Sequence, residues 1–269
     1  MIMQQGPNIR VAIAGFGAIG REIARHLVAG LPGLRLTAIG VRDPTHPPAG
    51  LPDVAVCAVG ALADHADIIV ECAPAAVLRD IAEPALRAGR SLVVLSCGAL
   101  LEQMDLVDLA RAHGGRMIVP SGALLGLDAV VAANEGKIHS VRMITRKPPR
   151  GLEGAPYLLE HRIKLDGLSA PMRVFEGTAR QAARGFPANL NVAVALSLAG
   201  IGPDRTQLEI WADPTLARNT HQIEVDADSA SFTLRIENIP SENPRTGRIT
   251  ALSVVAVLRK MTSPLVVGT

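Results

Sequence analysis

The chain has 269 residues, 48% of them hydrophobic and 19% charged, with a formal net charge of +2. That length and balance suit one large or two small globular domains with a substantial core, and they give no case for a disordered chain, a nucleic-acid-binding surface or a membrane surface. Aromatic residues make up only 2%, so the core must be Ala, Val, Leu and Ile, and base stacking on aromatic platforms is not expected.

The first 120 residues alternate strand-like and helix-like segments. Residues 9–14 form a short apolar run, followed by glycines and a helical pattern over 18–29. A second strand is predicted at 34–41, a Pro/Gly-rich loop at 43–51, and short strands at 54–58 and 67–71. A helix over 75–88 stops at Gly89; a strand at 91–96, a helix at 101–113 and a strand at 116–120 follow. Uniformly apolar strands between helices indicate a parallel sheet covered on both faces.

From Lys137 the strands alternate and become more polar: 140–146, 207–211, 222–226 and 231–237. Alternation predicts a mostly antiparallel sheet with one solvated face. Helices are predicted at 188–198 and 249–260. The expected organisation is therefore α/β: a doubly wound Rossmann sheet over 1–120, an α+β catalytic and dimerisation domain over 121–243, and a C-terminal helix in 244–269 returning to the first domain.

Cys57, Cys72 and Cys97 are widely spaced, with no CxxC or Cys/His cluster, so no structural zinc is expected and a reducing, cytoplasmic setting fits. The apolar stretch 11–20 is followed by Arg21 and Glu22 where a leader cleavage site would lie. The uncharged stretch 185–203 holds Asn189 and Asn191, and its solidly apolar part falls short of the roughly 20 residues a bilayer needs, so it reads as a buried helix.

Gly15-Phe16-Gly17-Ala18-Ile19-Gly20 matches GxGxxG, and it follows a strand and opens a helix, the context that gives the pattern meaning. The first glycine allows a tight turn, the second lets backbone approach a pyrophosphate, and the third lets helix and strand pack closely. Ala18 and Ile19 lie in the helix N-terminus, whose N–H groups and partial positive charge suit phosphates. The second strand ends at Val41-Arg42-Asp43. An acid here holds the ribose 2′-OH of NAD, and an arginine favours the 2′-phosphate of NADP; with both present, NAD is expected and NADP stays open. No GxxxxGK[ST], HExxH or GxSxG string occurs, which removes the triphosphate-loop, metalloprotease and hydrolase-elbow readings.

More specific strings follow: Pro120-Ser121-Gly122-Ala123, Thr145-Arg146-Lys147-Pro148-Pro149, Phe186-Pro187-Ala188-Asn189-Leu190-Asn191-Val192, Ala212-Asp213-Pro214, Asn219-Thr220-His221 and Pro240-Ser241-Glu242-Asn243-Pro244-Arg245-Thr246. In order and spacing, over nearly the whole chain, these resemble the L-aspartate dehydrogenase family. The resemblance implies NAD- or NADP-dependent oxidation of L-aspartate to iminoaspartate, then oxaloacetate and ammonia, in the supply of pyridine nucleotides. It also implies a homodimer, an active-site histidine at His221, and cofactor contacts at Ala123 and Asn189.

Imidazole titrates near neutral pH, so His221 suits a base acting on the amine or on the hydrolytic water. Asn189 can cap a helix or hydrogen-bond the nicotinamide end; Ala123 can offer only backbone and closeness of approach. A dicarboxylate calls for cationic and hydroxyl donors, and Lys147, Ser241, Asn243, Arg245 and Thr246 are the candidates. Two other layouts compete: a homoserine-dehydrogenase-like or dihydrodipicolinate-reductase-like enzyme, and a silent NAD(H)-sensing protein. The NTH and PSENPRT strings argue against the first, and His221 against the second.

Overall fold

The computed structural model describes residues 8–187, 190–240 and 247–269. Two compact units emerge: the chain to Pro120 with Ala251–Val266, and Ser121–Thr250 with Val267–Thr269.

In the first unit, β1 (Ile9–Ala14) leads into α1 (Ala18–Val28), followed by β2 (Leu34–Val41), β3 (Ala55–Ala58) and β4 (Ile68–Glu71). A 3-10 turn over Ala75–Val77 runs into α2 (Leu78–Arg87), then β5 (Ser91–Val94), α3 (Cys97–Leu101), α4 (Asp105–His113) and β6 (Arg116–Ile118). The helix expected over 101–113 thus starts four residues later, at Asp105, and the short α3 before it was not expected. Asp105 and Asp108 stand in the first turn of α4, where carboxylates favour a new N-terminus.

All pairings in this sheet are parallel, in the order β3-β2-β1-β4-β5-β6. The order reverses between β1 and β4, and the crevice outside the carboxyl ends at such a point is where open α/β sheets take ligands. Gly20, Ile23, Ala24 and Leu27 of α1 recur at i, i+3, i+4 and i+7 and are all buried. The last helix (Ile249–Lys260) repeats this spacing with Ala251, Val254, Val255 and Leu258, and those side chains join Val11, Ile13, Ile23, Leu27 and Val70 in one core cluster.

In the second unit, α5 (Leu127–Asn134), β7 (Ile138–Lys147), α6 (Pro156–Glu160), β8 (Met172–Thr178), α7 (Ala179–Gly185), α8 (Asn191–Ala199), β9 (Gln207–Ala212), β10 (Thr220–Ala227) and β11 (Ser231–Glu237) follow in turn. The sheet order is β11-β10-β7-β9-β8; β7 and β9 run parallel, and the other pairs are antiparallel. One face carries Val141, Met143, Ile210, Ile223 and Val225, which are buried with Phe186 and Leu196 in the unit's core. The other face is polar: Arg142 pairs with Glu209 and Glu224, and Arg146 lies 4.5 Å above the Trp211 ring. The chain's last helix, α9, is the one over Ile249–Lys260. Among the described residues, no helix is long and apolar enough to cross a membrane.

Candidate active site

The glycine turn shows why each glycine is needed. Gly15 has φ +98°, and a Cβ there would stand 2.7 Å from the Cys72 carbonyl oxygen, so the turn from β1 lies hard against the end of β4. A Cβ at Gly20 would come within 2.2 Å of the Gly15 carbonyl oxygen. A Cβ at Gly17, by contrast, would meet nothing within 4 Å. Gly17 is the N-cap of α1; no side chain caps this end, and no acid stands in its first turn. An unscreened helix N-terminus beside open space at the middle glycine fits a pyrophosphate.

Arg42 and Asp43 are both exposed just past β2. The Asp43 carboxylate accepts from Thr45 N at 3.0 Å and Thr45 Oγ1 at 2.6 Å, and lies 2.8 Å from His46 Nδ1. These contacts, the Thr45 hydroxyl first, hold its pKa below the ordinary carboxylate value. The acid expected at the ribose is therefore ionised and anchored by its own turn.

In the second unit, His221 is the second residue of β10, directly opposite Thr145 of β7. Both point to the buried face, and His221 Nδ1 lies 3.2 Å from Thr145 Oγ1. Lys147, two residues beyond Thr145, shares that face and is only 4% exposed. It is the last residue of β7, where Pro148 and Pro149 stop the strand, and its carbonyl accepts from Asp213 N at 2.8 Å.

Burial lowers the Lys147 pKa to about 8. Burial, and after it the Lys147 charge, lowers that of His221 to about 3. At neutral pH the pair is thus a neutral imidazole beside an ammonium. Such a site offers one proton acceptor and one cation to an incoming anion.

Ala123 sits in a turn where Leu124 N donates to Ser121 O at 3.0 Å. Its carbonyl accepts from Asn238 Nδ2 at 2.9 Å, while Asn238 N donates to Asn219 O at 2.8 Å. Asn238, 4% exposed, thereby ties the Ala123 turn to the entry of the strand that carries His221. Sequence reasoning missed Asn238 and gave Thr145 no role although it opens the 145–149 string, since nothing local marks partners so distant along the chain. Asn189, Ser241, Asn243, Arg245 and Thr246 lie outside the described residues.

A doubly wound nucleotide-binding unit with an uncapped glycine turn, followed by a mixed-sheet unit holding a buried His–Lys pair, defines a two-unit protein of the dinucleotide-dependent dehydrogenase class. Residues 15–120 match the family model for the NAD-binding domain of homoserine dehydrogenase, and residues 128–261 match that for the C-terminal region of aspartate dehydrogenase. The chain is 60% identical to an L-aspartate dehydrogenase of Bradyrhizobium diazoefficiens, over 97% of this chain and 95% of that one. It is 57% identical to L-aspartate dehydrogenase 3 of Bordetella bronchiseptica, over 99% and 100%. In fold it is similar to the crystal structure of aspartate dehydrogenase from Thermotoga maritima, with a TM-score of 0.76 at 24% identity, covering 97% of this chain and 100% of that one. The chain belongs to the L-aspartate dehydrogenase family.

Proposed function

We propose that this chain oxidatively deaminates L-aspartate with NAD or NADP, giving iminoaspartate, which hydrolyses to oxaloacetate and ammonia. Beyond family membership, the observation that carries this reading is the buried His221–Lys147 pair on one face of the second sheet. The cofactor, when bound, supplies the hydride acceptor; Gly15, Gly17, Ala18, Ile19 and Gly20 hold its pyrophosphate, and Arg42 and Asp43 serve its adenosine ribose. Ala123 and Asn189 serve its nicotinamide end.

Lys147 pairs with one substrate carboxylate, assisted by Ser241, Asn243, Arg245 and Thr246. His221 takes a proton from the substrate ammonium at Nε2, which requires Nδ1–H to donate to Thr145 Oγ1. Losing that proton frees the nitrogen lone pair that forms the C=N bond as the Cα–H departs with its electrons. The negative charge of a bound dicarboxylate beside the imidazole raises its proton affinity above that of the free protein.

The family resemblance also supports a homodimer, cytoplasmic residence and a role in pyridine-nucleotide biosynthesis; three cysteines without a disulfide fit that compartment. The test is NADH or NADPH formation at 340 nm with L-aspartate, D-aspartate, L-glutamate, L-alanine and L-homoserine. Turnover confined to L-aspartate is expected. Cofactor binding with no turnover on the whole panel would instead support a nucleotide sensor.

A further inference from the structure

Glu71, the last residue of β4, is a carboxylate with 0% exposure. A buried carboxylate costs several kcal/mol in most settings, so its partners must be accounted for. One oxygen accepts from Ala73 N at 3.2 Å and from Ser96 Oγ at 2.9 Å. The other accepts from Leu95 N at 3.1 Å and Ser96 N at 2.9 Å. Three of the four donors are backbone N–H groups, which can only donate, and none of the four is a cation. This cage suits an anion and does not neutralise it.

The cage has a definite place in the fold. Ala73 follows β4, and Leu95 and Ser96 follow β5, so Glu71 lies between the carboxyl ends of two adjacent parallel strands. The neighbouring Cys72 N donates to Ala14 O at 3.0 Å, next to the glycine turn. In a sheet of this order a dinucleotide would bind across the reversal; the ribose acid expected after β2 marks the adenosine side, which would leave the β4–β5 side to the nicotinamide half.

The oxidised nicotinamide ring carries a positive charge and the reduced ring does not; the rest of the cofactor is the same in both. We propose that Glu71 supplies a negative charge that would lie beneath the nicotinamide half of the crevice and would favour NAD(P)⁺ over NAD(P)H. This rests on the cofactor reading above. The consequence is a site that holds its reduced cofactor comparatively loosely and makes it the better hydride donor. Burial raises the Glu71 pKa against the pull of its four hydrogen bonds. The titratable groups that feel Glu71 are the thiols of Cys72 and Cys97, both raised by burial, Cys97 to about 12, so they stay neutral near pH 7.

The experiment measures Kd for NAD⁺ and for NADH on the full-length protein and on Glu71→Gln. The variant should raise the ratio Kd(NAD⁺)/Kd(NADH) by about tenfold. For a two-electron couple this equals a rise of about 30 mV in the potential of the bound cofactor. Equal weakening of both cofactors would reduce Glu71 to a structural residue and overturn the proposal. Wild-type protein that binds neither cofactor would overturn the cofactor reading instead. Should Glu71→Gln fail to fold, Ser96→Ala keeps the carboxylate but removes one donor. Its affinity for NAD⁺ should then fall, as pH is lowered, at a higher pH than in the wild type, with NADH affinity unchanged. The same pH dependence for both cofactors would refute the proposal.

Discussion

Thr145 Oγ1 and His221 Nδ1 meet at 3.2 Å across the β7–β10 ladder, between residues directly opposite each other. The contact orients the imidazole and leaves Nε2 as the ring nitrogen available for chemistry. His221→Ala should lower kcat by about 10²–10⁴-fold, the usual range for a general base, with NADH affinity retained. Thr145→Val removes the hydroxyl at nearly constant volume and should lower kcat by about tenfold, corresponding to roughly 1.4 kcal/mol. Thr145→Ser should restore most of the loss. Steady-state kinetics and fluorescence titration separate these outcomes, and wild-type kcat in Thr145→Val would remove the orienting role.

Lys147 should make dicarboxylate binding pH-dependent. Its ammonium is lost as pH rises through about 8. Succinate, which has no amine of its own, should inhibit well below that pH and progressively less above it. Lys147→Met should bind succinate weakly at all pH values and abolish the inflection. An inflection that survives in Lys147→Met belongs to another group.

The same burial links His221 to acid stability. Its pKa falls from 6.5 in the unfolded chain to about 3 in the folded protein, so the folded state binds fewer protons between those values. The stability contributed by the neutral ring is fully present above pH 6.5 and is lost as pH falls toward 3, at up to about 1.4 kcal/mol per unit. His221→Gln should unfold less steeply with acid over that interval. Parallel urea-denaturation curves for the two proteins from pH 7 to pH 4 would contradict the assignment.

The glycine turn separates binding from folding. Gly17→Ala adds a methyl where nothing lies within 4 Å, so melting should be nearly unchanged while NADH affinity drops by tenfold or more, about 1.4 kcal/mol. Gly20→Ala drives a Cβ against the Gly15 carbonyl at 2.2 Å and should destabilise the protein by roughly 1–3 kcal/mol. Thermal melts with and without NADH distinguish the two. Equal loss of stability in both variants would contradict the reading.

At the adenosine end, Asp43→Ala should weaken NAD more than NADP, because the carboxylate that suits a ribose diol would repel a phosphate. The variant also frees Thr45 and His46, so each Kd should be measured against Arg42→Ala, which should weaken NADP more. An unchanged preference in both variants would place neither residue at the ribose.

Much of the first unit was legible because its signals are local. The GxGxxG string between a strand and a helix points to a dinucleotide turn by its context, and i, i+3, i+4, i+7 spacing marks the buried faces of α1 and α9. In the second unit β8 escaped notice because a register shift between Arg173 and Phe175 buries Val174 and Phe175 in succession and breaks the two-residue period. Helix α5, LDAVVAAN, has apolar residues on several sides and no clear stripe. The site was less legible than the fold. His221 came from family resemblance, whereas its partnership with Thr145, 76 residues away, is created by strand pairing alone. Glu71 could be read as the end of an apolar strand, yet its four donors converge from two loops that only the sheet brings together.

Helix α9 carries a consequence for how the protein is made. Val254, Val255 and Leu258 complete a hydrophobic cluster that begins at Val11 and Ile13. During synthesis, the nucleotide-binding fold therefore keeps one flank uncovered until residues 251–258, some 240 positions beyond its first strand, have been made. A nascent chain stalled before residue 249 would hold its opening strands exposed, a natural client for a chaperone. Loss of the chain from residue 249 onward should thus damage packing around the first strand as severely as the end that is removed.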